Sequence, residues 1–148
     1  MKFALFGRNT ENLNLDNLNL LIRRLLKSEN IELCCYKPFY ESIKEKCCSA
    51  DHFATFSSYS DLPQDINIFL SLGGDGTFLE ALTFIRDRAI PVAGINFGRL
   101  GFLTTAKVES DNEWIDKLLS GNYSVEERTI LNMKPEQASL PVDFYPYA

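Results

Sequence analysis

An apolar run, Ile66, Ile68, Leu70 and Leu72, leads straight into Gly73-Gly74-Asp75-Gly76, and a helix-compatible segment opens at Thr77. A strand that turns through glycines into a helix is a building unit of α/β proteins. The glycines allow the backbone to bend through positive φ and let a ligand approach main-chain N–H groups. The helix N-terminus behind them adds unpaired donors and the positive end of a dipole. Together these features predict a cradle for phosphate. Asp75 repels phosphate, so its place among the donors points to a task of its own: metal coordination, or proton abstraction from a hydroxyl. The competing reading is a purely structural turn with Asp75 as helix N-cap.

The rest of the chain repeats the alternation. Lys2–Gly7 reads as a short apolar strand ending in the turn Gly7-Arg8-Asn9. Leu18, Leu21, Ile22, Leu25 and Leu26 follow helical spacing over about Leu15–Ser28. Ile31–Tyr36 is a second strand; Pro38 then suits the first turn of a helix whose Phe39, Ile43 and Cys47 share a face. A short strand is expected near Phe53–Phe56, and Ile66–Leu72 feeds the glycine loop. Phe78, Leu79, Leu82 and Ile85 are expected to form the inner face of the next helix, and Pro91–Ile95 a buried strand. This order predicts an α/β fold: a Rossmann-like parallel sheet with helices on both faces. Ligands of such sheets bind beyond the carboxyl ends of the strands, where the glycine turns lie.

Composition narrows the partners. The 148 residues carry a net charge of −5, which argues against a basic face for nucleic acid. No apolar run approaches the roughly 18 residues that span a membrane. Met1-Lys2-Phe3 leads into a strand rather than a signal-peptide pattern, so a cytoplasmic location is expected. The cysteines form two adjacent pairs, Cys34-Cys35 and Cys47-Cys48. Neighbours in a strand point to opposite faces, so they read as reduced packing residues and not as a metal site. His52, the single histidine, reads as a surface residue.

A second glycine segment, Gly94-Ile95-Asn96-Phe97-Gly98-Arg99-Leu100-Gly101-Phe102-Leu103-Thr104, follows the buried strand. Read alone it is a tight loop with Phe102 as a core anchor. Paired with the first loop on one sheet edge, it reads as the second wall of a nucleotide pocket, with Arg99 able to meet phosphate.

Gly-Gly-Asp-Gly-Thr-Phe-Leu at 73–79 and Gly-x-Asn-x-Gly-x-Leu-Gly-Phe-Leu-Thr at 94–104 resemble the NAD kinase family. The first element is shared with diacylglycerol and sphingosine kinases; the second narrows the resemblance. Glu127-Arg128-Thr129, before an apolar strand, also resembles the family's approach to its second domain. The resemblance implies phosphoryl transfer from ATP to the 2′-hydroxyl of the adenosine ribose of NAD. It further implies a Rossmann-like domain over residues 1–130, with 131–148 opening the connection to an absent β-rich C-terminal domain. The Asn-Glu pair of that second domain does not follow Leu131, so the isolated chain is expected to be truncated and inactive alone. Glu80 stands where many members carry a basic residue.

By resemblance, Asp75 is the general base. Gly73, Gly74 and Gly76 supply backbone donors and clearance for phosphate. Leu79 and Phe102 line the NAD pocket with Leu103 beside them, and Asn96 ties down its loop or contacts nucleotide. Mg²⁺ is implied with ATP, carried largely by its phosphates. The expected partners are NAD, ATP and, in a full-length protein, further copies of itself. Rival readings are a lipid kinase, which needs a membrane-facing patch, and a non-catalytic nucleotide module, which has no need of Asp75.

Overall fold

A computed structural model describes residues 1–8, 10, 13–47, 53–98, 101–104, 106, 107 and 113–130. In chain order the elements are β1 (Lys2–Phe6), α1 (Leu15–Lys27), β2 (Glu32–Tyr36), α2 (Lys37–Ile43) and β3 (Ala54–Phe56). They are followed by β4 (Ile68–Leu72), α3 (Asp75–Ile85), β5 (Val92–Asn96), β6 (Ala106–Lys107) and α4 (Glu113–Leu119). The strands form one sheet in the order β3-β2-β1-β4-β5-β6, and every pairing is parallel. The chain winds outward from β1 to β3, then returns to the other side of β1 and winds outward again. Strand order therefore reverses between β1 and β4, and the loops after these two strands flank the switch point where such sheets bind ligands.

Both faces of the sheet are covered, as the alternation of elements predicts. Along β1, Phe3 and Leu5 face a core shared with α1, α2 and α4, whereas Ala4 and Phe6 face the core under α3. All four are fully buried. The α1 stripe of Leu18, Leu21, Ile22 and Leu25 is fully buried too, and Asn14 caps the helix by accepting from the N–H groups of Asp16 and Asn17. Under α3 an aromatic cluster of Phe6, Tyr36, Phe56, Phe69 and Phe84 packs with tilted, edge and, between Phe69 and Phe84, stacked contacts at 5.0–6.4 Å.

The cysteine reading agrees with the fold where it can be followed. Cys34 and Cys35 are buried on opposite faces of β2, and Cys47 is buried with Phe39 and Ile43; none of the three is in a disulfide. Burial pushes the Cys34 thiol up to about 12, so it stays protonated. Cys48 and His52 lie outside the described residues.

Two expectations need correction. The buried face of α3 is Thr77, Ala81, Phe84 and Ile85, with Leu79 half exposed; the helix is apolar nearly all round, so spacing does not select a face. In β5 only Gly94 and Ile95 are buried, because β6 covers just its last two residues. Residues 122–130 carry neither helix nor strand and are exposed; past Ile130, the strand expected after Thr129 lies outside the described residues.

Candidate active site

The glycine loop connects β4, fully buried along its length, to α3. Gly73 takes φ 153°, and an added Cβ there would press on Thr77 Oγ1 at 2.5 Å. That position requires glycine. Gly74 does not: it has φ −84°, and the nearest atom to an added Cβ is Asn96 Nδ2 at 3.9 Å. At Gly76 that atom is Arg8 Nη1 at 3.8 Å. The expectation of positive φ thus holds at Gly73 and fails at Gly74, while Gly74 and Gly76 leave open room above the helix start. Gly74 is the N-cap and Asp75 opens the helix proper, so the N-cap reading of Asp75 is also corrected. The N–H groups of Asp75 and Gly76 head the helix, where no preceding turn offers them a carbonyl.

Asp75 reaches across to the second glycine segment. Its Oδ2 accepts from the Phe102 N–H at 2.8 Å. Its Oδ1 accepts from the N–H groups of Leu103 and Thr104 and from the Thr104 hydroxyl, each at 3.1 Å. An added Cβ at Gly101 would overlap this carboxylate, so glycine at 101 is required by the approach of Asp75. Led by the Phe102 N–H, these donors hold the Asp75 carboxyl below the usual carboxylate range, against a smaller opposing effect of desolvation. Asp75 is therefore ionised at neutral pH. Oδ1 carries three donors and Oδ2 one, which leaves Oδ2 the oxygen with room for a further hydroxyl.

Asn96, at the end of β5, fastens both limbs of its loop. Its Oδ1 accepts from the Gly98 N–H at 2.9 Å, and its Nδ2 donates to the buried Thr104 hydroxyl at 3.3 Å. Phe102 is 97% exposed, which overturns its reading as a core anchor. Leu103 is half-buried between Phe102 and the buried Thr104. The structure thus brings Gly73, Gly74, Asp75, Gly76, Asn96, Phe102 and Leu103 together at one sheet edge, with Leu79 on the next turn of α3. Arg99 lies outside the described residues.

One residue escaped the sequence reading. Arg8, which follows β1 at the switch point, pairs with Glu80, and its Nη2 donates to the Gly76 carbonyl at 3.4 Å. The signal for it was its position directly after the first strand of a parallel sheet. Among the described residues no group of three His, Cys, Asp or Glu is placed to hold a metal ion. No helix among them is long and apolar enough to cross a membrane.

Residues 5–123 match the family described as the ATP-NAD kinase N-terminal domain. NAD kinase of Flavobacterium psychrophilum is 36% identical over 137 residues, 90% of this chain and 45% of that protein. NAD kinase of Cytophaga hutchinsonii is 39% identical over 134 residues, again 90% of this chain and 45% of that protein. The chain therefore spans about half the length of the curated relatives it matches. The crystal structure of yeast NADH kinase complexed with NADH shares the fold, with TM-score 0.75 at 19% identity over 94% of this chain and 44% of that one. The match over residues 5–123, on a sheet that sets Gly-Gly-Asp-Gly against the second glycine segment, places this chain in the ATP-NAD kinase family, as its N-terminal domain.

Proposed function

We propose that this chain supplies the phosphate loop and the catalytic carboxylate of an NAD kinase, which transfers the γ-phosphoryl group of ATP to the adenosine 2′-hydroxyl of NAD. The observation that carries the reading is Asp75: an ionised carboxylate held at the glycine-rich start of a helix, one oxygen saturated and the other open. A ribose hydroxyl is a poor nucleophile until its proton is drawn off as the new bond forms. Oδ2 accepts that proton, the 2′-oxygen bonds to the γ-phosphorus, and the bond to ADP breaks. Because the carboxyl is held below its usual range, Asp75 orients the hydroxyl and takes the proton late, a role suited to a loose phosphoryl transition state.

The open N–H groups at Gly74, Asp75 and Gly76 receive phosphate oxygens. The exposed apolar side chains of Leu79 and Phe102 offer surface to NAD. Mg²⁺ supplies charge neutralisation on the donor's phosphates. The working protein is a homo-oligomer in the cytoplasm. The test uses γ-labelled ATP and a family-length protein carrying these residues. Label should pass to NAD and not to NAD lacking the adenosine 2′-hydroxyl; equal labelling of both, or of neither, refutes the reading.

A further inference from the structure

Asn96 closes β5 between the two glycine segments, and the bonds it makes run in one direction. Its Oδ1 accepts from the Gly98 N–H at 2.9 Å, and its Nδ2 donates to the Thr104 hydroxyl at 3.3 Å. Chemistry fixes the amide this way round: a backbone N–H can only donate, so the atom facing Gly98 is the oxygen and the atom facing Thr104 the nitrogen. The Thr104 oxygen thus receives a donor and has one proton left to place. Oδ1 of Asp75 lies 3.1 Å away, and an ionised carboxylate can only accept. Gly98, Asn96, Thr104 and Asp75 therefore form a single donor chain that ends on the carboxylate.

The chain is held where it stands. Thr104 is fully buried, and an added Cβ at Gly94 would meet its Cγ2 at 2.9 Å and its Cα at 3.0 Å. In such a site each bond polarises the next, and a misdirected proton is costly. Charged groups play no part in it. Arg8 on the β1 loop and Glu80 on α3 pair with each other. The Asp75 carboxyl is held down by the Phe102 N–H first, then by the Leu103 and Thr104 donors, against desolvation.

We propose that Asn96 is a positioning residue for the general base: by donating to Thr104 it commits the hydroxyl proton to Oδ1 of Asp75 and keeps the Oδ2 position open to the ribose hydroxyl. The inference rests on the kinase reading and gives the end of β5 a task within it. With the Asn96 donor in place, Oδ1 holds three donors and Oδ2 one, so the carboxylate has one favoured plane. Were an acceptor to stand at position 96, the Thr104 proton would turn toward it, and Oδ1 would face a lone pair.

The test is a ¹³C titration of the Asp75 carboxyl in the 148-residue chain, for wild type, Asn96→Asp, Thr104→Val, their double variant and Thr104→Ser. Asn96→Asp keeps the acceptor for Gly98 and replaces only the donor. Each single substitution at 96 or to valine should move the Asp75 transition to higher pH, and Thr104→Ser, which keeps the hydroxyl, should leave it in place. The new carboxylate also acts through its charge, and the double variant isolates that part. On the valine background only the charge remains, so the Asn96→Asp shift should be smaller than with threonine present. Equal shifts on the two backgrounds, or none in either single variant, overturn the proposal. In a family-length protein the same cycle should appear in kcat: Asn96→Asp should cost about tenfold with threonine present, the scale of one charged hydrogen bond, and less with valine. A loss confined to KM for NAD overturns the positioning role. A wild type that forms no NADP refutes the kinase reading instead, and the titration then decides the donor chain alone.

Discussion

Thr104 meets Asp75 twice across 29 positions of sequence, through its N–H and through its hydroxyl, both at 3.1 Å from Oδ1. The hydroxyl oxygen accepts from Asn96 Nδ2, so its own proton is free to point at the carboxylate. Through this pair the two glycine segments become a single site. The carboxylate is held in one orientation by a loop that is itself held by Asn96.

A pH dependence follows from this pair. The folded pKa of Asp75 is depressed, so its contribution is complete above the ordinary carboxylate value of about 3.9 and is lost as pH falls through the lower folded value. The amide resonances of Phe102 and Thr104 should therefore stay constant down to about pH 4 and shift only below it. In Thr104→Val, which loses one donor, the same transition should move to higher pH. An amide transition near pH 5 in the wild type would contradict the hydrogen-bonded carboxylate.

Two glycines make opposite predictions. Gly101→Ala forces a methyl group into the Asp75 carboxylate and should cost about 1–3 kcal/mol, the scale of overpacking. Gly76→Ala puts a good helix former into the first turn of α3 with open space around it. It should gain about 0.5–1 kcal/mol in denaturant unfolding while weakening Mg-ADP. Were Gly76→Ala to keep full Mg-ADP affinity, the phosphate approach would lie elsewhere.

The legible part of this fold is the part where periodicity and burial agree. The α1 stripe reads directly because Asp16, Asn17, Arg23 and Arg24 interrupt its leucines, and β4 reads because it is apolar throughout and ends in glycine. The face of α3 does not read, since Phe78, Leu79, Leu82 and Phe84 nearly encircle it and only packing on the sheet chooses among them. β6 and α4, of two and seven residues, are too short for periodicity to mark. Within the site, the loop segments read from their glycines. The pairing of Arg8 with Glu80, 72 positions apart, did not, because it exists only once β1 lies beside β4.

The same contrast predicts which apolar residues serve stability. Phe69→Ala removes a fully buried ring from the cluster under α3 and should cost about 3–5 kcal/mol. Leu79→Ala and Phe102→Ala remove exposed side chains and should change stability by no more than about 0.5 kcal/mol. Their effect should appear as weaker NAD binding. Loss of stability in Phe102→Ala comparable to that in Phe69→Ala would restore the core-anchor reading.

The most direct measurement compares Asp75→Asn with wild type in a family-length protein, by NADP formation and by NAD binding. Proton abstraction by Oδ2 predicts a fall in turnover of about two to four orders of magnitude with NAD affinity little changed. Turnover within a few-fold of wild type would remove Asp75 from the chemistry and reduce it to a fastening for the loop at 101–104.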